Sequence, residues 1–221
     1  MDHQDKSNFK PDYDVEFKKA FENKGYVYLK INTSENFRNK NYASTYGELT
    51  QEGFYKIMQK TKELLNIKSD CILKDLNYTD LGSGLGKTPI MAFNIGAKES
   101  FGIEFAEERH LKSVEMYANL KLKIKSTDIE RFNNIKYVNG DIFNNSDLDT
   151  FLKKTNVAYC SNLCFKPEIC DKLGKKLILL PKNALFFSSQ AVNATYLKQV
   201  TIIQVKQSWG DNQQIYVYQR I

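Results

Sequence analysis

The sequence lacks several features that would assign it to a specialised class of protein. Its longest apolar runs, such as residues 177–180, are far shorter than the roughly 20 residues that cross a bilayer. The N-terminal stretch MDHQDKSNFK has no hydrophobic segment, so we expect no secretory signal. No repeat, low-complexity tract or Pro/Ser linker interrupts the chain. Its 221 residues, 42% of them apolar, can instead build one sizeable core.

Cysteine and histidine are also scarce, which argues against a metal site. Four cysteines without regular spacing predict reduced, inert thiols in an intracellular compartment. Cys160, Cys164 and Cys170 match no standard zinc pattern, and the chain has only two histidines. The pair Ser188-Ser189 has no neighbouring histidine, so no hydrolase triad is predicted.

The charge of the chain is only mildly biased. A net charge of +6 favours acidic partners such as nucleic acid, and the densest basic run is residues 121–125. Such a run is typical of a solvated helix end. We therefore expect no more than weak nucleic-acid contact through the basic surface, and no membrane partner.

Short apolar runs alternate with helical segments along most of the chain. Strands are predicted at residues 76–81, 100–105, 135–140, 157–160 and 177–180. Helices are predicted at residues 86–95, 107–120 and 147–153, with a short helical turn after Pro167. Ahead of them, apolar positions from Leu49 to Leu65 predict an amphipathic helix that Thr50 or a neighbour could cap.

The end of the chain has a different pattern. Residues 200–205 and 214–218 are β-rich and predict a hairpin joined by residues 209–212. The predicted fold is therefore α/β: a doubly wound, seven-stranded, mostly parallel sheet with a C-terminal antiparallel hairpin. Residues 1–45 are predicted to form an N-terminal lid or appendage, and residues 46–221 the main domain.

The stretch TDLGSGLGKTP (residues 79–89) has two incompatible interpretations. Its Gly-Lys-Thr ending resembles a phosphate-binding P-loop, but that motif needs its first glycine at position 81, which is Leu81. The alternative is a turn that lets a nucleoside cofactor approach the backbone, between a strand and a helix. The residues of this turn are Asp80, Gly82, Ser83, Gly84 and Gly86.

Two acids further along the chain favour the cofactor turn. Glu104 ends the second predicted strand, where a carboxylate can accept both ribose hydroxyls. Asp141, with Ile142 beside it, follows the third strand and is suited to contact adenine. The third glycine comes one place too early for the dinucleotide pattern, because position 87 is a lysine. Together with the terminal hairpin, this favours S-adenosylmethionine over NAD.

Four motifs in order resemble the Dot1-type, non-SET histone lysine methyltransferases. They are Tyr46-Gly47-Glu48, the glycine turn followed by Gly102-Ile103-Glu104, the stretch SNLCFKPE at residues 161–168, and Ser208-Trp209 followed by Tyr216. The resemblance spans about residues 42–218. It implies a class I methyltransferase that modifies a lysine of histone H3, with histone H3 or the nucleosome as partner, in the nucleus or delivered to a host nucleus.

The resemblance also implies roles for individual residues. Tyr46 and Glu48 would close over the cofactor. Asn162 would orient cofactor or amine, and Phe165 and Tyr216 would form an aromatic channel for the lysine, so that these three residues are the predicted catalytic set. Such a channel lowers the pKa of an amine by desolvation and can hold an ammonium by cation–π attraction. Tyr218 lies on the same strand face as Tyr216, so either ring could line the channel.

Some residues depart from the family pattern and leave alternatives open. Leu49 stands where a hydroxyl residue is usual, Ile142 where an aromatic is frequent, and no long Lys-rich tail is evident. These departures weaken nucleosome targeting more than cofactor binding. The alternatives are a methyltransferase of the same fold that acts on nucleic acid or on a non-histone protein, and an inactive cofactor-binding scaffold. The adenine methyltransferase signature, with two prolines after the fourth strand, is absent here.

Overall fold

The first helix of the described residues is formed as its amphipathic pattern predicts. The computed structural model describes residues 47–69 and 71–221, so Tyr46 and the predicted N-terminal unit 1–45 lie outside the described residues. Helix α1 (Gln51–Leu64) is capped by Thr50, whose side-chain oxygen accepts a hydrogen bond from Gly53 N at 3.1 Å. On its apolar face, Phe54, Ile57 and Met58 are fully buried.

The described residues form a seven-stranded sheet in the order β3-β2-β1-β4-β5-β7-β6. The strands are β1 (Asn77–Leu81), β2 (Glu99–Glu104), β3 (Ile135–Asn139), β4 (Val157–Cys160), β5 (Leu185–Ser188), β6 (Leu197–Gln207) and β7 (Gly210–Arg220). The first five are parallel, whereas β7 runs antiparallel to both β5 and β6. The predicted fold class is confirmed.

Helices cover both faces of this sheet, as a doubly wound fold requires. After α1 they are α2 (Lys87–Asn94), α3 (Glu107–Lys121), α4 (Ile129–Phe132), α5 (Ser146–Leu152) and α6 (Pro167–Lys176). One core cluster joins α1 and α2 to the sheet, and a second joins α5 and α6 to its other face. Strand β5 contributes to both, with Phe187 in the first cluster and Phe186 in the second.

The prediction of the fifth strand at residues 177–180 is wrong. Residues Leu177–Leu179 form a 3₁₀ turn that continues α6, and the strand comes later, at Leu185–Ser188. A four-residue apolar run has no periodicity that separates strand from helix. Helix α6 also runs for ten residues where a short turn was predicted, and Pro167 stands at its start, where a missing amide costs nothing.

The C-terminal hairpin is longer than predicted. Each of its strands has eleven residues, and the turn is Ser208-Trp209 instead of residues 209–212. Strand β6 runs parallel to β5 and therefore ends at the edge of the sheet where β1, β2, β4 and β5 also end. The hairpin turn consequently stands beside the carboxyl ends of the central strands, the edge at which open α/β sheets bind ligands.

Candidate active site

The glycine turn joins the end of β1 to the start of α2. Gly82, Gly84 and Gly86 have φ angles of 92°, 54° and 76°, in the left-handed region that favours glycine. The turn is fastened to β2, because Ile103 O accepts hydrogen bonds from Gly82 N at 2.9 Å and from Ser83 N at 2.8 Å. Gly86 is also the N-cap of α2, so the turn presents the positive end of that helix.

Glu104 at the end of β2 lies directly against this turn. Its Oε2 accepts from Gly84 N and its Oε1 accepts from Ala106 N, each at 2.8 Å. Arg109 on α3 lies 3.7 Å from the same Oε1 and is also buried. Glu104 thus connects the glycine turn to β2, while its contact with ribose hydroxyls stays a prediction.

Asp80, the last but one residue of β1, is a buried carboxyl with an unusual environment. Thr88 Oγ1 donates to its Oδ2, while Oδ1 has no hydrogen-bond partner among the described residues. Burial, followed by the nearby charge of Glu104, raises the pKa of Asp80 to about 7, although the Thr88 hydrogen bond opposes this. A buried acceptor without a partner at this edge is suited to a polar ligand group.

The residues after Tyr46 pack onto the C-terminal hairpin. Glu48 N donates to Ser208 Oγ at 2.9 Å, and Ser208 N donates to Glu48 O at 2.8 Å. Gly47 lies against the ring of Trp209 so closely that a Cβ would stand 2.0 Å from a ring carbon. The side chain of Glu48 forms an ion pair with Lys87 Nζ at the start of α2.

A small cleft opens between this segment and the glycine turn. Its lining residues are Gly47, Glu48, Leu49, Asp80, Gly82, Ser83, Lys87, Thr88, Tyr159 and Ser161. Sequence reasoning identified four of these ten as cofactor-binding residues but missed Lys87, Tyr159 and Ser161. The last two could have been found from their position, because they stand at the end of β4, the strand beside β1.

Asn162 is close to this cleft but does not line it. Its side chain is fully buried, and its Oδ1 accepts from Ser188 Oγ and Gln190 N, both at 2.9 Å. Its Nδ2 lies 3.5 Å from Cys170 Sγ. Asn162 therefore holds the ends of β4 and β5 together, and its contact with cofactor or amine stays a prediction.

The two predicted channel tyrosines differ in their surroundings. Tyr218 is 3% exposed, and its hydroxyl accepts a hydrogen bond from Val192 N at 2.9 Å. Tyr216 is half-buried and stands opposite Ser188 at the end of β5. Phe165 is also half-buried, in the loop after β4. Like Tyr216, it packs against the second core cluster, which includes Tyr218. Tyr216 is thus the tyrosine with accessible surface.

Asp141 and Ile142 begin the loop after β3, at the same edge of the sheet. Asp141 Oδ1 accepts from Phe143 N at 2.9 Å and shapes a tight turn, as aspartate commonly does. Ile142 is buried in the second core cluster. The contact of these two residues with adenine stays a prediction.

The described residues, 47–69 and 71–221, lack two features that would indicate particular partners. Within them, no group of three or more His, Cys, Asp or Glu side chains is placed to hold a metal ion. Within the same residues, no helix is long and apolar enough to span a membrane.

The site fits a nucleoside cofactor. Asp80 Oδ1 and Ser83 Oγ are buried acceptors without a hydrogen-bond partner in the described part of the chain, and both residues line the cleft. No described atom stands within 4 Å of the point where a Cβ on Gly82 would lie, so a ligand can approach the backbone there. Glu104 and the helix α2 N-terminus add a carboxylate and positive partial charge beside it.

The sheet order is that of the class I, Rossmann-like methyltransferase fold, and solved structures share this fold. An RNA methyltransferase from Salinibacter ruber, in complex with S-adenosyl-L-homocysteine, aligns at 17% identity over 75% of this chain and 90% of its own, with a TM-score of 0.50. The magnesium protoporphyrin IX methyltransferase of Synechocystis, with bound S-adenosylmethionine, aligns at 12% identity over 86% of this chain and 93% of its own, with a TM-score of 0.52.

The sequence itself identifies the family. Residues 26–210 match the family described as "Histone methylation protein DOT1". The chain belongs to this family, as its four motifs indicated, and is an S-adenosylmethionine-dependent methyltransferase. No curated protein matches the chain significantly.

Proposed function

We propose that the protein transfers methyl groups from S-adenosylmethionine to a lysine side chain of histone H3 in chromatin. Membership of the Dot1 family, over residues 26–210, is the observation that carries this proposal. The nucleus, of the source organism or of a host, is the proposed site of action. Histone H3 or the nucleosome is the proposed partner, and weak nucleic-acid contact through the basic surface would assist it.

The residues around the cleft would hold the cofactor. The glycine turn and Asp80 would contact its amino acid part, Glu104 its ribose, and Asp141 with Ile142 its adenine. Tyr46 and Glu48 would cover it. When bound, S-adenosylmethionine supplies a methyl group activated by a positively charged sulfur.

The protein's own task is to present a neutral amine in line with that methyl group. A lysine amine has a pKa of about 10.4 in water and must lose its proton before it can accept a methyl group. Phe165 and Tyr216, both half-buried at the carboxyl edge of the sheet, would surround the lysine stem and exclude water. Desolvation then favours the neutral amine.

The proposal is tested by offering labelled S-adenosylmethionine with intact nucleosomes, free histones, DNA and RNA in parallel. The active-site variant is Tyr216→Ala. Its matched control is Tyr117→Ala, since Tyr117 is also half-buried but stacks on Phe132 in a separate cluster beside α3. We expect label on histone H3 that Tyr216→Ala loses and Tyr117→Ala keeps.

The other outcomes identify the alternatives. Label on DNA or RNA alone would overturn the histone substrate and leave a nucleic-acid methyltransferase of this fold. Label on a histone other than H3 would overturn only the choice of protein. Cofactor binding without label on any acceptor would overturn histone methylation and favour a different acceptor or a catalytically inactive scaffold.

A further inference from the structure

Gln190 lies in the segment after β5 and contacts the loop that follows β4. We propose that Gln190 is a positioning residue, which holds residues 162–165 in the conformation that shapes the acceptor channel. The inference rests on the proposed function only in naming that channel. The contacts themselves are part of the protein's own structure.

Gln190 makes an unusually dense set of hydrogen bonds to this loop. Its Nε2 donates to Asn162 O at 3.0 Å, to Phe165 O at 3.2 Å and to Leu163 O. A primary amide carries two N–H groups, so three carbonyls share them. The backbone N–H of Gln190 adds a fourth bond, to Asn162 Oδ1 at 2.9 Å.

The loop is anchored at its ends, by the buried Asn162 and by Phe165 packed on the core, but not in its middle. Leu163 is 44% exposed and Cys164 is exposed, so neither anchors the loop by burial. One internal hydrogen bond, from Phe165 N to Asn162 O at 2.9 Å, forms a turn. The side chain of Gln190 joins the carbonyl groups along this turn, and its loss would release several of them at once.

The same residue connects the loop to the other side of the channel. Ser188 Oγ shares its hydrogen between Gln190 O at 2.7 Å and Asn162 Oδ1 at 2.9 Å. Ser188 stands opposite Tyr216 in the register of β5 and β7. Gln190 therefore links the loop that carries Phe165 to the end of β5, which pairs with the strand that carries Tyr216.

The substitution Gln190→Glu tests this inference with little change in size. A carboxylate has the same shape as the amide but donates no hydrogen bond, and it would face three carbonyl oxygens. The matched control is Gln204→Glu, the same change at an exposed position on β6. Three quantities are measured: amide hydrogen exchange of residues 161–166, the dissociation constant for S-adenosylmethionine, and the kcat and acceptor KM of methyl transfer.

We expect the amide hydrogens of residues 161–166 to exchange roughly tenfold faster in Gln190→Glu than in the wild type, because more than one net hydrogen bond is lost. Acceptor KM should rise and kcat should fall roughly tenfold, with the dissociation constant for the cofactor within about twofold of the wild type. Gln204→Glu should match the wild type in all three measurements. A purely structural role would weaken cofactor binding and acceptor kinetics together.

Unchanged exchange in Gln190→Glu would overturn the proposed restraint on the loop. Faster exchange with unchanged kcat and KM would overturn the role in positioning the acceptor. If the wild type methylates no histone, the proposed histone substrate is overturned, independently of the inference about Gln190. The exchange measurement then still decides whether Gln190 holds the loop. The kcat and KM measured with whichever acceptor is labelled decide whether Gln190 also positions that acceptor.

Discussion

Glu48 and Ser208 are 160 residues apart in the chain and are joined by two backbone-mediated hydrogen bonds of 2.9 and 2.8 Å. Through its side chain, Glu48 also pairs with Lys87 at the end of the glycine turn. Gly47-Glu48 and Ser208-Trp209, which the sequence presents in separate motifs, therefore form one structure. It connects the C-terminal hairpin, which carries Tyr216, to the glycine turn, the predicted cofactor site.

The Glu48–Lys87 ion pair should support cofactor binding. Lys87→Glu replaces the attraction by repulsion and should weaken S-adenosylmethionine binding about two- to fivefold, as expected for a partly exposed pair. The exchanged pair, Glu48→Lys with Lys87→Glu, should recover most of the loss. Titration calorimetry measures both. If the double variant binds no better than Lys87→Glu alone, the pair does not act through charge.

Two glycines of the turn should respond differently to a methyl group. Gly82→Ala should cost about 1–2 kcal/mol of unfolding free energy, the cost of a left-handed residue with a Cβ, because nothing described stands near the added carbon. Gly86→Ala has the same backbone cost, and its Cβ would also stand 2.5 Å from the ring of Tyr137. That ring is held by a 2.6 Å hydrogen bond from its hydroxyl to Gly86 O.

We therefore expect Gly86→Ala to lose about 1–3 kcal/mol more than Gly82→Ala, the usual cost of overpacking. Urea-induced unfolding of the two variants measures the difference. Equal losses would show that Tyr137 moves aside freely, and that the close approach of its ring does not explain the glycine.

Asp80 should make stability depend on pH. Its pKa rises from 3.8 to about 7 on folding, chiefly through burial, so between these values the folded chain keeps a proton that the unfolded chain has released. The free energy of unfolding should therefore fall as the pH rises through this window, at up to about 1.4 kcal/mol per pH unit, and level off above it.

Asp80→Asn cannot ionise and should remove this part of the slope. Urea-induced unfolding at several pH values between 4 and 8 tests it, with Asp211→Asn, an exposed carboxylate on the hairpin, as control. If the wild type and Asp80→Asn lose stability in parallel across the window, the carboxyl of Asp80 is not the group that titrates.

Sequence reasoning worked where the chemistry is local. The glycine turn was identified from glycines spaced between a strand and a helix, where they let a ligand approach the backbone, and Gly82, Gly84 and Gly86 do adopt positive φ. Strand β4 was predicted with its observed bounds, and helix α1 was predicted from its apolar face and its Thr50 cap. Each of these three features is encoded within one short stretch of sequence, so no tertiary contact is needed to predict it.

Sequence reasoning could not predict the contacts that form only between distant parts of the chain. Asn162 has the same residue type whether it faces a ligand or the core, and its bonds to Ser188 and Gln190 exist only once β4 and β5 are adjacent. For the same reason Lys87 was not identified as a site residue, because its ion pair with Glu48 forms only in the folded chain. Residues 177–180 were assigned to a strand because a short apolar run fits either structure.

The four thiols should divide into two classes. Cys71 and Cys164 are exposed, whereas Cys160 and Cys170 are buried, and burial raises the pKa of both buried thiols. A thiol reagent such as DTNB should therefore react quickly with two groups per native chain and with four after denaturation. Rapid reaction of a third thiol in the native protein would show that the core around Asn162 opens, because Cys170 contacts that residue.

The two predicted channel tyrosines allow catalysis and stability to be separated. Tyr218→Phe removes the hydroxyl that accepts from Val192 N and leaves a buried donor without its partner, so it should cost about 1–3 kcal/mol of unfolding free energy. Because the ring itself remains, packed on Phe186, methyl transfer at a temperature where the variant is folded should stay within about twofold of the wild type.

Tyr216→Ala instead removes a half-buried ring beside Ser188 and should lower kcat/KM for the acceptor roughly tenfold or more, with cofactor affinity kept. Unfolding curves and methyl-transfer kinetics on the same preparations test both expectations. If Tyr218→Phe lowered kcat/KM as much as Tyr216→Ala, the channel would be lined by Tyr218, and the accessible surface of Tyr216 would need another explanation.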